Sequence, residues 1–128
     1  MASNPGVPVS FDKIQKSFGP VRVLEELNLQ VAPGEFLVLL GASGSGKTTA
    51  LRILSGLETA TSGTIRIGDR DVTNILPKYR DISMVFQSYA LYPHKTVAEN
   101  IGFPLKVRKV PQDALETAVK DAAAQVQI

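Results

Sequence analysis

The amino-acid sequence predicts a mixed α/β fold, and three features of its first half indicate this class. Leu27, Leu29 and Val31 alternate with polar residues, as in a strand with one buried face. The run 36–40 is apolar on both faces, as expected of a central strand that is covered on both sides. After a glycine-rich loop, apolar residues recur at helical spacing over residues 48–57.

The remaining elements are predicted from turns and from shorter apolar patterns. Further strands are expected at residues 7–11, 21–26, 64–67 and 82–86. Thr96 is expected to cap a helix, with Glu99 completing a capping box and Pro104 limiting the helix. A last helix is expected over residues 111–127, with proline in its first turn.

Composition excludes several classes of function. The chain has 128 residues, 44% of them hydrophobic, which suits one folded domain. It has no cysteine and one histidine, which excludes a disulfide framework, a thiolate metal site and a histidine-rich metal cluster. The net charge of +2 comes without a basic block, so no nucleic-acid partner is expected. The sequence shows neither a secretory signal nor an apolar run long enough to cross a bilayer, and we expect a cytoplasmic protein.

The strongest motif is the glycine-rich loop itself. Residues 41–48 read G-A-S-G-S-G-K-T and match G-x-x-x-x-G-K-[ST], between an apolar run and a helix. Glycines allow consecutive N–H groups to form an anion-binding nest, and the helix N-terminus adds positive dipole and unpaired donors. Lys47 is expected to bind the β- and γ-phosphates, and Thr48 to bind Mg²⁺. The dinucleotide motif G-x-G-x-x-G fails, because Thr49 stands at its last glycine.

A family resemblance follows from this motif and two further segments. The chain continues with R-I-L-S-G-L-E at residues 52–58 and R-D-I-S-M-V-F-Q-S-Y-A-L-Y-P-H-K-T-V-A-E-N-I-G-F at residues 80–103. With the phosphate loop, these segments resemble the nucleotide-binding subunit of an ABC transporter, of the type that imports maltose or glycerol phosphate. The resemblance implies a partial P-loop NTPase core with an N-terminal antiparallel β-subdomain.

The resemblance also implies a role for particular residues. Phe18 matches an aromatic that stacks on adenine, although a core phenylalanine is an alternative. Gln87 and Lys47 match residues that act in hydrolysis, and Gln87 with Thr48 would contact Mg²⁺. The implied ATP-binding residues are Phe18, Gly41, Ser43, Gly44, Ser45, Gly46, Lys47, Thr48 and Thr49.

The implied partners are ATP or ADP, transmembrane permease subunits and a second ATPase subunit, either an identical copy or a paired one. The segment 87–94 would face the permease, and Ser43 matches a position that more often serves the signature loop of the opposing subunit. His94 receives no catalytic role. The implied location is cytoplasmic, peripheral on the inner face of the cell membrane.

The chain departs from the family pattern in three respects. It lacks an L-S-G-G-Q signature, an apolar strand ending in Asp-Glu, and a later switch histidine. We therefore expect a flexible terminus at residues 1–6 and, over residues 7–128, the N-terminal part of a longer ATP-binding domain. Such a chain is expected to bind Mg-nucleotide but to hydrolyse it poorly.

Two other functions stay open at this point. One is a complete small P-loop kinase or other NTPase, although the acidic strand end and arginine-rich lid of such an enzyme are not visible. The other is an interaction fragment that self-associates through exposed apolar surface.

Overall fold

A computed structural model describes residues 6–128, which divide into two compact units. The first unit ends at Met84 and the second comprises Val85–Ile128. The flexible terminus expected at residues 1–6 lies outside the described residues except for Gly6. No helix in the described part of the chain is long and apolar enough to cross a membrane.

The first unit contains a four-stranded antiparallel sheet. Strands β1 (Val9–Phe18) and β2 (Val21–Val31) form a hairpin. Strand β3 (Ser62–Ile67) pairs with the other edge of β1, and β4 (Arg70–Asp71) pairs with β3, giving the order β2-β1-β3-β4. The segments 21–26 and 27–31, predicted separately, form one continuous strand. The predicted N-terminal antiparallel sheet and the mixed α/β class are both confirmed.

Helix α1 (Lys47–Ser55) follows the glycine-rich loop and contributes to the core of this unit. The buried apolar core combines side chains of the sheet and the helix: Phe11, Ile14, Leu24, Ala50, Ile53, Ile65 and Val72. A short 3-10 helix, Pro77–Tyr79, follows β4. Neither this 3-10 helix nor the two-residue β4 was predicted, because both are too short to show a periodicity.

The strands predicted at Phe36–Leu40 and at residues 82–86 are both wrong. Neither segment is in a strand, and Phe36 and Leu40 are 92% and 90% exposed. A central strand needs backbone hydrogen bonds to neighbours on each side. Among the described residues, neither segment has a strand partner, so an apolar sequence alone does not make it a strand.

The second unit contains two packed helices, α2 (Val97–Val107) and α3 (Gln112–Gln125). The predicted capping box of α2 is confirmed, because Thr96 Oγ1 accepts from the Glu99 N–H and Glu99 Oε2 accepts from the Thr96 N–H. Gly102 is buried where the helices meet, since an added Cβ would lie 3.1 Å from atoms of both Leu115 and Val119. This close approach favours glycine, because a larger residue would have to displace the Leu115 or Val119 side chain slightly.

Pro104 does not end α2, contrary to the prediction. The helix continues to Val107, and the Arg108 N–H still donates to the Pro104 carbonyl at 3.2 Å. Proline removes its own N–H from the helical ladder and crowds the carbonyl one turn earlier, but packing against α3 supports the last turn. The last helix agrees closely with its prediction: Pro111 occupies its N-cap, and it ends at Gln125.

Candidate functional site

The glycine-rich loop and the start of α1 surround an open space of about 450 Å³. Its lining residues are Val23, Ser43, Gly44, Ser45, Gly46, Lys47, Thr48 and Thr49. Seven of these eight are among the predicted ATP-binding residues, so the structure brings these seven together around one space. Gly41 stands at the loop entrance, where an added Cβ would lie 2.5 Å from Ser45 Oγ.

Two glycines give the loop its shape in different ways. Gly46 has φ of 93°, and an added Cβ would lie 2.6 Å from Leu24 Cδ2 and 3.2 Å from the Val23 carbonyl oxygen. Both the conformation and the contact with β2 therefore require glycine. Gly44 has φ of 80° but open space around it, so only its conformation favours glycine.

The ammonium of Lys47 is held by its own loop. Its Nζ donates to the carbonyl oxygens of Gly41 and Ala42, both at 2.6 Å, and to Ser45 Oγ at 3.0 Å. The cation is thus held among loop atoms. A bound phosphate would have to offer oxygens that replace these partners.

The start of α1 is suited to an anion. The Ala50 N–H donates to the Gly46 carbonyl at 2.8 Å, which makes this the first helical hydrogen bond. Within residues 6–128, no side chain caps the helix and no acidic residue lies in its first turn. The first N–H groups of a helix have no intrahelical partner, so these donors suit phosphate oxygens. The exposed Thr48 would add a hydroxyl, a hard oxygen ligand of the type that Mg²⁺ accepts.

Phe18 lies at the tip of the β1–β2 hairpin. It pairs with Val21 across the turn, and Val23, two residues further along β2, lines the phosphate-loop space. The side chain is 47% exposed, so the alternative of a core phenylalanine is wrong. Stacking of Phe18 on adenine stays a prediction.

Sequence reasoning missed Lys16, which contacts the Phe18 ring. Its Nζ lies 4.6 Å from the ring centroid and donates to Glu58 Oε1 and to the Thr59 carbonyl, both at 2.7 Å. The hydrogen bond from Lys16, followed by the Thr59 N–H, lowers the pKa of the Glu58 carboxyl below its ordinary value. The i, i+2 spacing of Lys16 and Phe18 on one strand was the available signal.

No role was predicted for Arg80 from the sequence, but the structure buries this side chain, which is only 4% exposed. Its guanidinium donates to the carbonyls of Ile53 and Leu54 at 2.8 Å and to that of Ile75 at 2.7 Å. Burial lowers the pKa of Arg80. The side chain therefore satisfies carbonyls at the C-terminal end of α1, the helix that begins at the phosphate loop.

Gln87 belongs to the second unit. It is exposed in a turn closed by the Tyr89 N–H, which donates to the Phe86 carbonyl at 2.9 Å. Within the predicted contact segment 87–94, Tyr89 is 76% exposed. The Asn100 side chain holds this segment against α2, because its Oδ1 accepts from the Tyr92 N–H and its Nδ2 donates to the Tyr92 carbonyl.

The fold and the site together define a nucleotide-binding domain of the phosphate-loop class. The sequence model of the family described as ABC transporter matches residues 24–128. The chain belongs to this family, as the resemblance predicted.

Relatives among characterised proteins agree with this assignment. The chain is 50% identical to the sn-glycerol-3-phosphate import ATP-binding protein UgpC of Brucella abortus over 121 residues, which are 94% of the chain and 34% of the relative. It is 52% identical to the trehalose/maltose import ATP-binding protein MalK of Thermococcus litoralis over 116 residues, covering 86% of the chain and 31% of the relative. The chain thus spans about a third of the length of these relatives.

A solved structure resembles the chain in fold. It is a dimeric, post-hydrolysis state of the ATP-binding cassette MJ0796 bound to ADP and Pi. The TM-score is 0.81 at 28% sequence identity, and the match covers 94% of this chain and 57% of the other. This similarity confirms the predicted P-loop NTPase fold class.

Proposed function

We propose that the chain is the nucleotide-binding part of an ATPase subunit of an ABC importer for sugars or glycerol phosphates. ATP binding and hydrolysis by the whole subunit would then drive uptake of the solute. The observation that carries the proposal is the geometry of the loop of residues 41–48. The Lys47 side chain and the uncapped N-terminus of α1 both line the open space beside this loop. The names of the import ATP-binding relatives support the importer class.

In this proposal the polyphosphate lies in the loop, and Lys47 binds its β- and γ-phosphates. Ser43, Ser45 and Thr49 line the same space and would donate to phosphate oxygens. Mg²⁺, when bound with the nucleotide, would neutralise phosphate charge. Thr48 and Gln87 would be its protein ligands, and Gln87 would also orient the attacking water.

The base would stack on Phe18. Its exposed ring lies at the end of the hairpin whose strand β2 contacts the phosphate loop at Val23 and Leu24. An aromatic face binds a purine by stacking, and such contacts contribute roughly 1–3 kcal/mol per base.

The proposed partners are permease subunits and a second ATPase subunit. The exposed segment 87–94, held on α2 by Asn100, supports a docking role toward a membrane-embedded permease. Ser43 would serve the opposing ATPase subunit as well as phosphate. The protein would accordingly work on the cytoplasmic face of the membrane, as a peripheral subunit.

Calorimetric titration with Mg-ATP tests the proposal, using wild type, Lys47→Ala and the exposed-lysine control Lys120→Ala. Loss of a charge-assisted contact costs roughly 1.5–3 kcal/mol, so Lys47→Ala should remove most of the affinity. Lys120 lies on α3, and its replacement should leave the affinity unchanged. Unchanged ATP affinity in a Lys47→Ala variant that is folded by circular dichroism would refute the phosphate-loop assignment.

A further inference from the structure

We propose that Lys16 is a positioning residue for the nucleotide base, because its ammonium holds one face of the Phe18 ring and leaves the other face for adenine. This inference rests on the proposed function, in which Phe18 stacks on the base. It adds a specific role for a side chain that would contact Phe18 and not the nucleotide.

The first step is that the ammonium of Lys16 is held in place. Lys16 is 8% exposed, and two of its three N–H donors are used, toward Glu58 Oε1 and the Thr59 carbonyl at 2.7 Å each. An ion pair that is shielded from solvent on its lysine side is less weakened by water than an exposed pair. Two hydrogen bonds, one of them within an ion pair, therefore restrain the ammonium.

The second step concerns the ring. Lys16 and Phe18 stand two residues apart on β1, and although the register with β2 shifts between Lys16 and Ser17, the Lys16 ammonium lies over the Phe18 ring. The ammonium lies 4.6 Å from the ring centroid, within the range of a cation–π contact. Phe18 is half-exposed at the hairpin tip, where packing alone restrains it little. The cation fixes the ring orientation and draws its electron density, which reduces repulsion between the ring and a base stacked opposite.

The third step connects the ring to the phosphate loop. Glu58 and Thr59 follow α1, and α1 begins at Lys47. Lys16 thus attaches the end of β1 to the segment beyond the far end of the phosphate-loop helix. The separation between the proposed base site at Phe18 and the proposed phosphate site at Lys47 is then fixed by β1 and α1. A ligand that carries both a base and phosphates at that separation should bind more tightly than the base or the phosphates alone.

The test compares the affinities for Mg-ATP and for inorganic triphosphate with Mg²⁺. Lys16→Met keeps an apolar stem but removes the ammonium, and Glu58→Gln removes its anionic partner. Lys13→Met is the matched control, because Lys13 lies exposed on the same strand. Lys16→Arg retains a cation and serves as the conservative rescue variant.

We expect Lys16→Met to weaken ATP binding about threefold to tenfold and to leave triphosphate binding within about twofold, as loss of a cation–π contact predicts. Glu58→Gln should change ATP binding in the same direction by less. Lys13→Met and Lys16→Arg should change neither ligand by more than about twofold. Equal losses for both ligands, or no loss for ATP, in Lys16→Met would overturn the positioning role.

Phe18→Trp separates this inference from the proposal on which it rests. The chain contains no tryptophan, so the new indole is the only one and reports on stacking by fluorescence. Quenching by ATP but not by triphosphate would support base stacking on residue 18, and adding Lys16→Met should then shift the ATP midpoint upward. Absence of ATP-specific quenching would refute base stacking itself. Quenching with an unshifted midpoint would refute only the role of Lys16.

Discussion

The guanidinium of Arg80 donates to the carbonyl of Ile53 at 2.8 Å, in a fully buried contact. Ile53 belongs to α1 and Arg80 follows the 3-10 helix, so a distant segment of the chain completes the end of the phosphate-loop helix. The stability of α1 therefore depends on the segment that leads from the first unit toward Gln87 along the chain.

We predict that Arg80→Met lowers the free energy of unfolding by about 2–4 kcal/mol, because the buried Ile53 carbonyl and the part-buried carbonyls of Leu54 and Ile75 lose their donor, and each unsatisfied buried group costs about 1–3 kcal/mol. Urea denaturation followed by circular dichroism measures the change. Arg70→Met is the control: its guanidinium donates to the Tyr79 carbonyl at 2.8 Å, but in an exposed contact. A loss for Arg80→Met no larger than that for Arg70→Met would contradict the prediction.

Gly56→Ala should also destabilise the first unit. Gly56 ends α1 with φ of 77°, and an added Cβ would lie 2.7 Å from Arg80 Nε. The left-handed conformation alone costs about 1–2 kcal/mol for alanine, and displacement of the guanidinium adds to this. Gly19→Ala isolates the first effect, because Gly19 has φ of 57° with no atom within 4 Å. Thermal unfolding should show a larger decrease in Tm for Gly56→Ala, and equal decreases would exclude a contribution from Arg80.

The capping box of α2 should weaken in acid. Hydrogen bonds from the Thr96 N–H and then the Thr96 side chain lower the pKa of the Glu99 carboxyl. Because the folded pKa is lowered, the stabilisation is complete above the ordinary glutamate pKa and is lost as pH falls through the folded value. Nuclear magnetic resonance of the Thr96 amide should therefore show a transition with its midpoint below that of a free glutamate. In Glu99→Gln this transition should disappear; its persistence would assign it to another group.

We predict that the chain binds Mg-ATP yet hydrolyses it no faster than its Lys47→Ala variant. In the proposed function Lys47, Thr48 and Gln87 would hold phosphates and Mg²⁺, but equal binding of ground and transition states does not accelerate the reaction. No Asp-Glu pair follows an apolar strand in this sequence to orient the attacking water. Phosphate release should be measured over a range of protein concentrations, to include dimer-dependent activity. Turnover of roughly 1 per second or more that depends on Lys47 would contradict the prediction.

Elements with a local cause could be predicted from the sequence. The phosphate loop and α1 follow from glycine positions and helical spacing within residues 41–57, and the capping box spans only Thr96 to Glu99. The alternation along β2 likewise indicates its half-buried face. In each case the residues that determine the structure are neighbours in the chain.

Features with a distant cause could not be predicted in this way. Phe36–Leu40 has the composition of a central strand, but strand formation depends on partners elsewhere. Lys16 is 42 residues from Glu58, and Arg80 is 27 residues from Ile53, so no short spacing relates them. The prediction at Pro104 was wrong because the lost hydrogen bond and the crowding of the proline ring are local, whereas the packing of α2 against α3 that offsets them involves residues outside α2.

The three hydrogen bonds from Lys47 to its own loop make ligand binding an exchange reaction. A ligand gains the ammonium only to the extent that it offers better acceptors than two carbonyls and a hydroxyl. A polyphosphate chain meets that requirement through several charged oxygens at once, whereas a solitary small anion offers one cluster of oxygens and must displace the same partners. The number and charge of the oxygens that a ligand presents to this ammonium therefore determine how completely it replaces the loop's own acceptors.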